Sequence, residues 1–349
     1  MNNDLTAILN SAILANVFPG AVLGFSDAGK RTVISRGHLT YDPSSPAVTA
    51  ETVYDVASVT KSIPVNALIM QLVEQGRISL DDKVILYLPE IDNEYRETML
   101  IRHLMTYTVV YDLAEGLGAT AKKGSSAVYD VLFHSPLKAA PGTIYFYTNA
   151  PAILLGLIIE RVLGKPLDQV ATERFFEPLG MTSTTFHAEK LGKRDIAPTE
   201  ITDRGEIVGQ VHDETAWALR ESGLIAGNAG VFSTAGDLLT FCDMLLGGGE
   251  LNDQRYFDTA TIAAMHTNQL AGIGQAAGLG WEMGQERFMG TKMSTNGFGK
   301  TGFTGSLVLI DPDQNKAMVL LSNRTYPDRP GTRDGINEVR AQAANLIFG

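Results

Sequence analysis

The stretch YDVASVTKSIPVNALIM, residues 54–70, sets Ser58 one helical turn before Lys61 in a run that holds no other cation. Burying an ammonium group without a partner is costly. The amine must therefore either snorkel to solvent or work on the hydroxyl beside it. Positions i and i+3 share a helix face, so a helix beginning near residue 58 points both side chains into one space. At such a start the free N–H groups and the positive end of the helix dipole favour negative charge developing beside Ser58. Desolvation pulls a lysine pKa down, and a neutral amine can take the hydroxyl proton. Ser58 is thus a candidate nucleophile and Lys61 its base.

S-x-x-K alone is a common pattern, and the chain holds a second, SPLK at Ser135 to Lys138, just before AAPGT. Its proline and its neighbours read as a loop with a solvated lysine. For Ser58 the competing reading is a polar helix cap followed by a snorkelling lysine. Two further motifs shift the balance. YFYTNAPAILLG places Tyr147 and Asn149 as Y-x-N before a predicted helix, and FGKTGFTGSLVLI leads Lys300, Thr301 and Gly302 into a predicted strand. A phenol beside an amine can relay a proton from nucleophile to leaving group. A K-T-G strand offers a cation for a carboxylate, a hydroxyl, and a glycine where a ligand can approach the backbone. In isolation Tyr147 reads as a core tyrosine and K-T-G as a turn; together with S-x-x-K, in order along the chain, they read as a site.

The whole chain sets wider bounds. Its 349 residues can bury a large core, and 44% apolar with 19% charged residues describes an ordinary globular composition. A net charge of −11 disfavours nucleic acid and anionic membrane as partners, and no run reaches the roughly 18 apolar residues that span a bilayer. The single cysteine, Cys242, excludes an intrachain disulfide. The opening MNNDLTAILNSAILANVFPG has an acid where a secretory signal carries basic residues, and reads as an amphipathic helix with Leu5, Ile8, Leu9 and Ile13 on one stripe. As written the protein reads as cytoplasmic, or as periplasmic or secreted if a leader has been removed. The expected partner is a small-molecule substrate, and oligomeric state is left open.

GAVLGFS, the turn DAGK and RTVISRGHLT read as a hairpin, and GSLVLID, PDQNK and AMVLLSN as another. The final stretch DGINEVRAQAANLIF, with Ile336, Val339, Leu346 and Ile347 near helical spacing, predicts a terminal helix packed on a sheet. Residues 62–75, 150–163 and 234–247 are helix-length apolar stretches separated by Pro and Gly. Strands near both ends and helices between them predict one α/β domain from residues 1–60 and 255–349, and a mostly helical domain from 61–254, with the site at their interface.

These motifs resemble those of the penicillin-recognising serine hydrolases: class C β-lactamases, low-molecular-weight penicillin-binding proteins and β-lactamase-like esterases. S-x-x-K and K-T-G are motifs of that superfamily, and Y-x-N in the middle is similar to class C. The S-x-N at Ser294 to Asn296 lies too near Lys300 to serve instead. ETVYDVASVTKS, LIRHLMTYT, PGTIYFYTNAPAILLGLIIERVLGKPL, FFEPLGMTST, GLGWEM and GKTGFTGS extend the resemblance over nearly the whole chain. TYT at Thr106 to Thr108 resembles class C, although VVYDL follows where those enzymes have a Gly-containing turn. Residues 211–238 resemble β-lactamase-related hydrolases of unassigned substrate.

The resemblance implies a β-lactamase/transpeptidase-like fold, α/β with an all-α part, in which an antiparallel sheet is flanked by terminal helices and carries a large helical insertion. It implies Ser58 as the acylated nucleophile, Lys61 as base or proton shuttle, and Tyr147 as proton relay and activator of the deacylating water. Asn149 would touch the substrate carbonyl or amide, Lys300 and Thr301 its acidic end. The backbone N–H groups of Ser58 and of Phe303, after Gly302, would form the oxyanion hole. Whether Lys61 or Tyr147 is the base stays open, since the two titrate together. A β-lactam or related amide is the expected substrate because Lys300 keeps a cation in the third motif. A carboxylic ester or D-alanyl peptide is the alternative, and a penicillin-binding sensor that acylates without turnover the non-catalytic one.

Other candidates carry less. The six histidines, His38, His103, His134, His187, His212 and His266, show no metal-ligand spacing, so neither metal nor cofactor is expected. VHDE at 211–214 offers His and Asp for a conventional triad, but no G-x-S-x-G holds a partner serine. GLGAT and LLGGGE lack the strand–turn–helix setting of a phosphate loop, and Trp217 and Trp281 read as packing residues.

Overall fold

In the computed structural model, which describes residues 1–192, 195–329 and 334–349, six antiparallel strands form the main sheet. They are β1 (Gly20–Asp27), β2 (Lys30–Gly37), β3 (Glu282–Met283), β4 (Phe298–Thr301), β5 (Leu307–Asp311) and β6 (Lys316–Ser322), in the spatial order β2-β1-β6-β5-β4-β3. The β1–β2 hairpin turns on Ala28 and Gly29, both at positive φ (48° and 82°), which suits the right-handed twist of the flanking strands. β1 and β6 pair with Ala21 opposite Ser322 and Asp27 opposite Lys316, so chain from both ends meets at the sheet centre.

Side chains alternate across these strands with period two. Ala21, Leu23 and Phe25 of β1, Leu307 and Leu309 of β5, and Met318 and Leu320 of β6 face one core. That core is closed by helix α1 (Asn2–Leu14), through Leu5 and Leu9, and by a C-terminal helix (Asp334–Ile347), through Ile336, Val339, Ala343 and Ile347. Leu346 departs from the predicted stripe. It is 38% exposed, and the small Ala343 and Ala344 take the buried positions where the helix lies close to the sheet.

Val22, Val308, Ile310, Val319 and Leu321 face the other way, into a larger core shared with the helices of the middle of the chain. Four of these helices matter below: α2 (Ala67–Glu74), α3 (Ala150–Leu163), α4 (Glu214–Glu221) and α5 (Ala235–Leu246), the C-terminal helix being α6. α5 lies against β1, where Gly24 is needed: a Cβ there would stand 2.9 Å from Leu239 Cδ1. The expected helices at 150–163 and 234–247 are present as α3 and α5, the latter capped by Thr234, whose hydroxyl accepts from Asp237 N. The one expected at 62–75 is broken. A tight 3-10 turn covers Ala57–Lys61, Ile63 adopts an extended conformation (φ −119°, ψ 104°) before Pro64, and regular helix starts only at Ala67. A residue before proline is pushed out of the helical region, which accounts for the break. Among the described residues no helix is long and apolar enough to cross a membrane.

Leu309 has no exposed surface and packs between sheet and terminal helices. Leu309→Ala is expected to cost about 2–5 kcal/mol, read as a lower urea midpoint at nearly unchanged slope. An unchanged midpoint would mean that this core does not bear on stability.

Candidate active site

Ser58 stands half-buried on the 3-10 turn Ala57–Lys61, and both flanks of that turn are held by distant chain. On one side the two-residue strand Tyr54–Asp55 pairs with Phe232–Ser233, Val56 N donates to Val231 O, and Val231 N donates to Thr60 Oγ1. On the other, the end of β4 runs against it. Thr304 Oγ1 donates to Asp55 O at 2.8 Å, and Gly302 lies so close that a Cβ would stand 2.4 Å from Val56 O. The glycine of K-T-G is thus required by approach to the serine turn itself.

Lys61 does not snorkel. It has no exposed surface, and Nζ lies 2.7 Å from Ser58 Oγ and 2.8 Å from Asn228 O. Burial lowers its pKa and the nearby Lys300 ammonium lowers it further, against the opposing pull of Tyr147 and Asp213. With the amine neutral the same 2.7 Å contact can run the other way, Ser58 donating to Nζ. Asn228 is fixed in turn by Asp213, whose Oδ1 accepts from Asn228 Nδ2 (2.9 Å) while Oδ2 accepts from Asn149 Nδ2 (3.1 Å). Asp213 also caps α4 by accepting from Ala216 N.

The Tyr147 ring centre lies 5.4 Å from Lys61 Nζ and 4.4 Å from Lys300 Nζ, and Tyr107 of the TYT motif packs on the ring at 4.8 Å. The Tyr147 hydroxyl oxygen is shielded from water and makes no hydrogen bond of standard geometry among the described residues, yet Ser58, Lys61 and Lys300 lie near enough to act on its ionisation. Burial alone would raise the phenol pKa. The charge of Lys300 above all, joined by Lys61 when that amine is protonated, outweighs it and leaves Tyr147 below the ordinary phenol value.

Lys300 is also fully buried but differently partnered. Its Nζ donates to Glu282 Oε2 at 3.0 Å, and the same oxygen accepts from Thr301 N and Thr301 Oγ1, both at 3.1 Å. Burial pushes Lys300 down and Glu282 up, but their attraction reverses both, holding the lysine charged and the carboxylate ionised. The two side chains expected to meet a substrate acid are therefore both engaged by Glu282.

Ser58, Tyr147, Asn149, Thr301, Gly302 and Phe303 line one cavity of about 270 Å³. Lys61 and Lys300 are fully buried and do not line it, but both stand close to the Tyr147 ring, which does. The sequence reading missed Glu282 and Asn228, and weighed Asp213 only as the acid of a conventional triad. Glu282 belongs to the GLGWEM segment but gains its partner only through the β3–β4 ladder, where it sits opposite Gly299. Asp213 had a local signal, an N-cap aspartate before an apolar turn. Lys138, of the second S-x-x-K, is exposed as expected, and Ser294 of STN is taken up by Asp311 (2.7 Å from Ser294 N and Oγ). His212 meets Asp55 but makes no hydrogen bond to Ser58 among the described residues, so no triad forms.

The chain matches the Beta-lactamase family model over residues 9–343 and belongs to that family. It is 29% identical, over 309 residues, to an Escherichia coli K12 protein provisionally named D-alanyl-D-alanine carboxypeptidase; the match covers 80% of this chain and 70% of that one. Among solved structures, EstCE1, described as a hydrolase with promiscuous acyltransferase activity, superposes at TM-score 0.79 with 21% identity, covering 100% of this chain and 98% of its own. A class C β-lactamase superposes at TM-score 0.76 with 18% identity, covering 99% and 97%. The expected β-lactamase/transpeptidase-like fold is the observed one.

Absorbance titration of the tyrosines is expected to show one phenol ionising below its ordinary value, absent in Tyr147→Phe. In Lys300→Met that phenol should move to higher pH, because the cation that does most to favour the phenolate is gone. A transition unmoved or shifted downward would contradict this electrostatic assignment.

Proposed function

We propose that this protein is a serine acyl hydrolase that cleaves a carboxylic ester or amide through a covalent acyl-enzyme on Ser58. The observation that carries the reading is the fully buried Lys61 amine 2.7 Å from Ser58 Oγ. The serine oxygen attacks the substrate carbonyl carbon while its proton passes to Lys61 or to the phenolate of Tyr147. The same pair then returns a proton to the leaving group as the tetrahedral centre collapses. Water, deprotonated by Tyr147, releases the acyl group. The oxyanion is received by the backbone N–H groups of Ser58 and Phe303, each worth about 3–4 kcal/mol in such a hole. Asn149, held by Asp213, meets the substrate's carbonyl or amide. The site's placement between the sheet part, 1–60 with 255–349, and the helical part, 61–254, is supported by its drawing residues from both.

For substrate, carboxylic esters lead. The case for a β-lactam rested on Lys300 as a free cation for the acid beside the amide, and that charge is committed to Glu282. The name of the E. coli relative keeps a D-alanyl peptide as an acyl donor of the same chemistry.

Steady turnover of p-nitrophenyl esters, faster than of nitrocefin, is the expected result, with loss of both turnover and fluorescent-penicillin labelling in Ser58→Ala. Turnover retained in Ser58→Ala would refute the nucleophile. A stoichiometric burst with no turnover would mark a sensor rather than a hydrolase.

A further inference from the structure

The VHDE segment, which forms no triad, contacts the serine turn from behind. Asp55 and His212 are buried at 1% and 3% exposure. Asp55 Oδ2 accepts from His212 N at 3.1 Å and lies 3.2 Å from His212 Nδ1. Its other oxygen, Oδ1, accepts from Ala57 N at 2.8 Å. Ala57 immediately precedes the nucleophile and holds φ at +50°, a left-handed conformation that a residue with a Cβ adopts only when its surroundings impose it. At the cavity, which both residues line, the His212 ring lies flat against the Phe303 ring, centroids 5.8 Å apart and planes 4° from parallel. Arg324 and Arg329 guanidinium groups also stand by the Phe303 ring, at 5.1 and 5.6 Å, and Arg329 Nη2 donates to His212 O at 3.5 Å.

One buried pair thus touches both segments whose backbone N–H groups would face the oxyanion: through Asp55 the turn carrying Ser58, and through the His212 ring the residue after Gly302. We infer that His212 is a positioning residue for acyl transfer, holding Ser58 and Phe303 in mutual register through Asp55 and through ring stacking. It transfers no proton to or from substrate. Register matters because a displacement of about 1 Å at such a site can cost about 100-fold in rate.

This rests on the acyl-hydrolase reading, which is tested separately by acylation of Ser58 in the unaltered protein, followed by intact mass. If no adduct forms there, that reading falls and this inference with it. With the adduct established, His212→Asn keeps an amide where Nδ1 meets Asp55 but removes the ring, and Phe303→Leu removes the partner ring from the half-exposed cavity wall without touching the buried pair. Each is expected to lower kcat for ester hydrolysis by about 10- to 100-fold with KM within about threefold. The double variant should be no slower than the slower single one, since both break one contact, and Phe303→Tyr, which keeps a ring, should lose clearly less kcat than Phe303→Leu. Unchanged kcat in Phe303→Leu would overturn the inference, as would losses that multiply in the double variant. Should His212→Asn fail to fold, Phe303→Leu against Phe303→Tyr decides alone.

Discussion

A lysine side chain with no exposed surface and, among the described residues, no carboxylate bonded to it is the constraint around which this molecule is arranged. Lys61 sits between a hydroxyl and a main-chain carbonyl, Ser58 Oγ and Asn228 O, neither of which compensates a full positive charge. Burial of that kind favours the neutral amine. Lys300, equally buried and also beside the Tyr147 ring, has Glu282 and stays charged. One phenol is therefore flanked by two amines whose pKa values are driven apart by their partners, and its own ionisation follows from theirs. Charge separation of this kind is how a site holds a proton acceptor and an electrostatic stabiliser of the same residue type side by side.

The fold serves that arrangement by bringing three remote segments into contact at van der Waals range. The serine turn is too short to be self-supporting. It is clamped by residues 228–233 through Asn228 O and the Val56–Val231 bond, and by 302–304 through the bare Cα of Gly302 and the Thr304 hydroxyl. β4 carries Lys300 and Gly302 on one rigid strand, whose ladder to β3 delivers Glu282. β5 and β6 behind it have both faces covered, by α5 and the middle helices on one side and by α1 and α6 on the other. The strand that carries Lys300 and Gly302 is thereby backed by the best-buried part of the molecule.

Much of this was legible in the residues. Short apolar runs at 20–26, 307–311 and 317–322, with turn residues between, mark strands, and the residue types and order of Ser58, Lys61, Tyr147, Asn149 and Lys300 point to chemistry. What stayed hidden depends on distance in the chain. The pairing of Lys300 with Glu282 arises from strand register, which hydrophobic pattern does not encode for two-residue strands. Without it the lysine read as free for a substrate. The break at Ile63 was announced by Pro64, yet the apolar run through 70 read as continuous helix. Leu346 fitted a helical stripe, but alanines decide which face of α6 can come close to the sheet.

The account turns on opposite protonation of two buried lysines, and that can be observed directly. Heteronuclear NMR titration of the lysine side chains, with Lys61 and Lys300 assigned by substitution, should find Lys61 deprotonating below the ordinary lysine value and Lys300 above it. Lys61 titrating at or above that value would contradict the account, because the partners of the two amines would then not drive them apart.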